Sequence, residues 1–170
     1  MENLILRIDD RLIHGQVLVG WVQRLCLKHI IVANDEMATD KLRINLFRVA
    51  IPDGVESIFM TITDTIKFIL NRQTELLDTI ILVKNPQDTL QIIRNVGNFF
   101  KSINVGGMHY QKGKRQLMAQ LSINKADVDA LYEIHKLGIE LESRILPFDD
   151  KIDVIKFLEK NGILKREEKF

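Results

Sequence analysis

The sequence predicts an α/β fold: an open, mainly parallel β-sheet with helices on both faces. Three observations predict it. Short runs rich in aliphatic and β-branched residues alternate with longer stretches of helical periodicity, the order that crossover connections between parallel strands require. Several of the short runs, such as residues 29–33, are almost wholly apolar, as strands covered on both faces are. The three prolines, Pro52, Pro86 and Pro147, fall where elements should change.

Taken in order, residues 4–8 read as a first strand. Residues 15–25 read as a helix, with Val17, Leu18, Trp21, Val22 and Leu25 at helical spacing. A second strand covers 29–33, and Asn34-Asp35 leads into a helix over 37–50. A third strand over 55–62 is followed by a short helix over 64–70. The fourth strand, 79–83, meets Asn85-Pro86-Gln87, where Asn85 can cap and Pro86 takes the first helical position at little cost; that helix runs to 96. A fifth strand over 102–105 is halted by Gly106-Gly107. A strand over 117–123 precedes Asn124, which caps a helix over 125–137 that Gly138 stops. A last strand over 139–146 and a closing helix over 150–160 follow. The expectation is one domain over residues 1–164, with a charged tail from Lys165 to 170 that frays.

Composition excludes several function classes. The chain has 170 residues, 46% hydrophobic and 28% charged, a globular balance. Lys and Arg number 24 against 23 Asp and Glu, net +1, so the basic excess that drives general nucleic-acid or anionic-membrane binding is missing. No apolar run approaches the roughly 20 residues that span a bilayer, and the N-terminus does not read as a signal peptide. The single cysteine, Cys26, allows no internal disulfide or cysteine-based zinc site and reads as a small core residue. A cytoplasmic protein is expected.

In an open parallel sheet, ligands bind outside the carboxyl ends of the strands. Those ends carry Asp9-Asp10-Arg11, Asn34-Asp35, Thr63-Asp64, Lys84-Asn85 and Gly106-Gly107. The densest cluster is Arg7-Ile8-Asp9-Asp10-Arg11-Leu12-Ile13-His14-Gly15-Gln16-Val17, between the first strand and the first helix. It suits a phosphoryl group. His14 is a nucleophile that can be neutral near pH 7. Arg7 and Arg11 supply guanidinium forks matched to phosphate oxygens. Asp9 and Asp10 can orient the arginines or fix an imidazole tautomer. Gly15 permits close backbone approach, and a helix N-terminus favours an anion. No metal is called for.

This segment resembles the active-site signature of the enzyme IIB component of the mannose/fructose/sorbose family of the sugar phosphotransferase system. Ile31-Val32-Ala33-Asn34-Asp35-Glu36 and Ile103-Asn104-Val105-Gly106-Gly107-Met108-His109 resemble the same family in order, and the likeness runs from Leu4 to about Lys160. The resemblance implies a protein-phosphohistidine–sugar phosphotransferase without cofactor. His14 would accept a phosphoryl group from a IIA histidine, through Nδ1, and pass it to a hexose bound by the membrane components IIC and IID. Arg11 would contact the phosphoryl oxygens, and Arg7 and Asp9 would line the pocket. Such a protein sits at the inner face of the membrane through IIC and IID.

Secondary candidates are weaker. Gly106 and Gly107 read as close-approach positions for phosphate or for the first loop, or as a tight turn. Asn34, Thr63, Lys84 and His109 could reach the pocket edge. Leu12, Ile13 or Trp21 could join a transient docking surface, although Ile13 reads first as an anchor to the core. Two other functions compete: a receiver-like module using Asp9-Asp10 for magnesium, and a sugar- or nucleotide-binding domain without covalent chemistry. The first wants an acceptor aspartate ending the third strand and a lysine ending the fifth, whereas Gly106 ends the fifth and Lys84 the fourth; the second predicts that His14 is dispensable.

Overall fold

The protein is described here by a computed structural model covering residues 3–72 and 76–164; the tail expected from Lys165 lies outside the described residues. The strands are β1 (Leu4–Asp9), β2 (His29–Ala33), β3 (Glu56–Met60), β4 (Thr79–Val83), β5 (Ser102–Gly107), β6 (Arg115–Met118), β7 (Leu121–Ile123), β8 (Glu140–Ser143) and β9 (Ile152–Asp153). Seven form one sheet in the order β3-β2-β4-β1-β5-β8-β9, every neighbouring pair parallel except β8 with β9. β6 and β7 make a separate antiparallel hairpin. The fold class read from the sequence is the one observed.

Side chains alternate across the sheet with period two, as pleating requires. Leu6, Ile8, Ile31, Ala33, Ile81, Val83, Ile103 and Val105 pack on one face, beneath α3 (Ile62–Asn71), α4 (Pro86–Val96), α5 (Lys125–Lys136) and α6 (Val154–Lys160). Ile30, Val32, Ile80 and Leu82 pack on the other, under a π-helix at Gln16–Gln23 together with α1 (Asp35–Thr39) and α2 (Lys41–Ala50). Arg7 and Asp9 alternate with Ile8 and so face the π-helix.

Several boundaries differ from expectation, each for a local reason. The helix expected over 37–50 is two helices. Asp40 leaves the helical region (φ −87°, ψ 84°) and its carboxylate accepts from Arg43 N at 2.9 Å, so a residue read as interior is a cap. The helix expected over 15–25 is the wider i→i+5 form, which is characteristically short and associated with functional sites. The third strand stops at Met60 because Thr61 caps α3 by accepting from Asp64 N at 3.0 Å. Thr63, expected at a strand end, is therefore exposed in the first turn of a helix. Residues 117–123 form not one strand but the arms of a hairpin turning at 119–120. The last expected strand ends at Ser143, and the chain returns as β9, antiparallel to β8, before Asp153 caps α6. Cys26 is exposed, not in the core, in a left-handed turn with φ 52°.

Candidate functional site

β1 is central, flanked by β4 and β5, and the chain passes over it from one to the other through α4. Its carboxyl end is thus where an open sheet of this kind binds ligands. There the chain turns sharply. Leu12 N donates to Asp9 O at 3.0 Å, and Leu12 itself is left-handed (φ 56°), a strained backbone for a branched-chain residue. Burial of its side chain offsets that strain: Leu12 is 5% and Ile13 3% exposed. Both anchor the loop in the core beneath the π-helix, and Trp21 is as deeply buried, so none of the three belongs to a docking surface.

The turn brings His14 back over β1. Its Nε2 lies 3.0 Å from Asp9 Oδ2, and its side chain is 14% exposed. Asp9 itself is fully buried and is held from behind by Arg7, whose Nε and one terminal nitrogen donate to the same Oδ2 at 3.2 and 2.9 Å. Burial works to raise the Asp9 carboxyl; the hydrogen bond with His14 and the Arg7 charge oppose it and together hold it below the ordinary range. Because an ionised carboxylate only accepts, Nε2 of a neutral His14 carries the proton. Nδ1 then keeps its lone pair, and it makes no hydrogen bond among the described residues.

The two arginines of the motif are placed very differently. Arg7 is fully buried, hydrogen-bonded to Asp9 and Asn104, with its guanidinium 5.0 Å from the Trp21 ring centroid. Burial lowers its affinity for a proton, and the Asp9 charge resists. It can orient Asp9 but cannot meet an external phosphate. Arg11 is exposed, its backbone N donates to Asp9 Oδ1 at 3.2 Å, and its side chain makes no hydrogen bond or ion pair among the described residues.

Gly106 and Gly107 are the last two residues of β5, and Gly107 still pairs with Asp9 of β1, so they are not a tight turn. A Cβ on Gly106 would sit 1.9 Å from Arg7 Cζ, and one on Gly107 would sit 3.0 Å from Asp9 Oδ1. What they admit is the Arg7 and Asp9 side chains of the neighbouring strand. Gly15 has open space around its Cα and an ordinary helical φ of −52°.

Asp10 serves a second histidine. Its carboxylate accepts from His109 N at 2.7 Å and pairs with His109 Nδ1, also at 2.7 Å. Both aspartates that a receiver-like module would need for a cation are thereby occupied. Asn34 is committed to capping α1 through Met37 N at 3.0 Å, and Lys84 pairs with Glu36 at 3.4 Å. Two roles escaped the sequence reading: Asn104 as Arg7's second acceptor, and Trp21 as the ring over which Arg7 lies. Neither role has a local signal: Asn104 acts from a strand distant in the chain, and Trp21 from the helix that folds back over β1.

Comparison with known proteins gives one family. The profile described as "PTS system sorbose subfamily IIB component" matches residues 3–169. The chain is 33% identical over 155 residues to the sorbose-specific EIIB component of Klebsiella pneumoniae, covering 91% of this chain and 94% of that one. It is 34% identical over 154 residues to the mannose-specific EIIAB component of Escherichia coli K12, covering 91% of this chain and 47% of that longer protein. The crystal structure of the IIB domain of the K. pneumoniae sorbose permease superposes with a TM-score of 0.84 at 32% identity, covering 94% of this chain and 98% of that domain.

Proposed function

The chain belongs to the sorbose-subfamily IIB components of the sugar phosphotransferase system, and from that premise we propose that residues 1–164 act as one phosphohistidine carrier domain, with His14 as the phosphorylated residue. The observation that supports the reading is the Asp9–His14 hydrogen bond at 3.0 Å: with Nε2 donating to an ionised carboxylate, Nδ1 serves as the nucleophile.

In the first step, the Nδ1 lone pair of His14 attacks the phosphorus of a phosphohistidine on the IIA partner. An Nδ1–P bond forms, the donor N–P bond breaks, and its electron pair returns to the donor imidazole. The proton on Nε2 stays in place, and Asp9 stabilises the ring as it gains positive character. In the second step, a hydroxyl oxygen of a hexose bound by the membrane components IIC and IID attacks the same phosphorus. The N–P bond breaks, its electrons return to Nδ1, and the hydroxyl proton leaves to a base on the acceptor side. Phosphoryl transfer asks mainly for positioning and charge stabilisation. Arg11, exposed and with no side-chain partner among the described residues, is available to meet the phosphoryl oxygens. Arg7 acts through Asp9. With open space at Gly15, a donor can approach the loop closely.

A carrier must also release its cargo. One free arginine beside a buried Arg7–Asp9 pair offers the phosphoryl group less positive charge than two free arginines would, so the phosphohistidine is not over-stabilised. The family includes components named for sorbose and for mannose, and sugar specificity is assigned to the membrane partners.

The test is to incubate the chain with phosphoenolpyruvate, the general phosphotransferase proteins and a cognate IIA. Mass spectrometry should find one added phosphoryl on His14, and phosphorus NMR should place it on Nδ1. His14→Gln should accept none while retaining its circular dichroism spectrum and unfolding midpoint. A folded wild-type chain that takes up no phosphoryl group overturns the assignment.

A further inference from the structure

Arg7, Asn104 and Glu142 are register partners across β1, β5 and β8, so their side chains form one polar row on the sheet face beneath the π-helix. The row is hydrogen-bonded throughout. Arg7 donates to Asn104 Oδ1, and Asn104 Nδ2 donates to Glu142 Oε1 at 3.2 Å. Arg144 Nε donates to that same Oε1 at 3.1 Å, and its guanidinium lies 5.5 Å from the Trp21 ring centroid. At the other end the row continues through Asp9 to His14 Nε2.

Glu142 is 3% exposed, and its Oε2 is buried without a hydrogen-bond partner. Leaving a carboxylate oxygen dry and unpaired costs free energy. Both hydrogen bonds the residue makes go to Oε1, and the side-chain carbonyl of a glutamine would accept both. Hydrogen bonding therefore does not explain a glutamate here. Its charge does.

We propose that Glu142 is a positioning residue for the phosphoryl-accepting imidazole: its buried negative charge shares Arg7 with Asp9, so that Asp9 keeps the free charge with which it holds His14 Nε2–H. The proposal rests on the reading of His14 as the phosphoryl acceptor. Asp9 stands against the His14 ring with Arg7 behind it, and Glu142 and Arg144 follow in the row; Arg11 and Asp10 stand on the same loop, Asp10 paired with His109 after β5. Without Glu142, Arg7 would spend its whole charge on Asp9. The Asp9–His14 bond would weaken, the imidazolium would be less favoured and Nδ1 would be less basic. Consistent with this sharing, the Glu142 charge resists the effect of burial on Arg7.

The experiment is an NMR titration of the His14 ring nitrogens in the unphosphorylated full chain, compared with Glu142→Gln and Arg144→Gln. Glu142→Gln should move the midpoint down by about half a pH unit or more, the scale expected of a charge at this remove. Its phosphoryl acceptance from IIA should slow, by no more than about threefold per half unit, the limit in which rate follows basicity one for one. Arg144→Gln frees Glu142 from its second cation and should move the midpoint up. An unchanged midpoint in Glu142→Gln, with or without loss of stability, shows a purely structural residue and overturns the proposal. If Glu142→Gln does not fold, Arg144→Gln decides, and a midpoint that fails to rise overturns it. A wild-type chain that is not phosphorylated overturns the carrier reading while leaving the titration result standing.

Discussion

Two consecutive aspartates each hold a histidine, and the two pairs are built to different ends. Asp9 binds His14 through Nε2, is fully buried, and has the Arg7 guanidinium at its back. Asp10 binds His109 through Nδ1 and through the backbone N, is 14% exposed, and holds a ring that is 39% exposed. The first pair lies where solvent screens little, and a fixed cation helps to keep the carboxylate charged. The second ties the segment after β5 to the end of β1 in a wetter setting, where such a pair contributes little beyond geometry. Similar residue types thus make an oriented imidazole in one place and a latch in the other.

Substituting Asp9 should break the comparison most severely. Asp9→Asn leaves Arg7 buried with its nearest counter-charge gone, a loss that costs about 3–5 kcal/mol where one partner of a buried pair is removed. It should also cut phosphoryl acceptance sharply, because the amide can present its N–H to Nε2 and so no longer fixes the proton there. Urea denaturation would measure the first effect and phosphorylation the second. The pH dependence has a definite sign. The Asp9 carboxyl is held below its ordinary value in the folded chain, so its stabilisation is complete above the usual aspartate range and is lost as pH falls through the lowered folded value. The part of the stability gap between wild type and Asp9→Asn that comes from Asp9's own ionisation should therefore be undiminished at neutral pH and be lost only in strong acid. A gap that closes between pH 5 and 7 would contradict this account.

The second pair should yield a much smaller effect. His109→Gln removes one charge-assisted hydrogen bond from a partly exposed site, about 1 kcal/mol in a denaturation experiment. Phosphoryl acceptance at His14 should stay within a few-fold of wild type. A hundredfold loss of acceptance with the fold retained would show that His109 meets the phosphoryl group, and the contrast drawn between the pairs would fail.

How far this contrast was legible in the sequence follows from what is local and what is not. The parallel sheet was readable because period-two apolar runs and helical periodicity are local, and the rim followed from topology. The Arg7–Val17 segment was readable because its reactive groups lie within eleven consecutive positions. What could not be read is how a residue's neighbours across the sheet dispose of its charge. Arg7 and Arg11 look alike in the motif, yet one is buried against Asn104, nearly a hundred positions away, and the other is free. Gly106 and Gly107 resembled turn residues because the side chains they admit belong to another strand. The break at Asp40 went unread because a helix period passes through an aspartate without marking whether it caps.

The smallest effect is expected at the loop itself, and it isolates access from electrostatics. Gly15 has a helical φ of −52°, and nothing lies within 4 Å of where a Cβ would stand. Gly15→Ala should therefore leave stability unchanged or raise it by about 0.5 kcal/mol, through loss of unfolded-state freedom alone. The imidazole titration should not move, since no charge changes. Any slowing of phosphoryl acceptance in this variant must then come from the methyl group meeting the incoming donor. Saturation with IIA separates the cases: a raised half-saturation with the maximal rate intact means that the donor docks over Gly15. A titration midpoint that moves in Gly15→Ala would mean instead that the loop backbone, and not the Asp9–Arg7 pair, governs the ring.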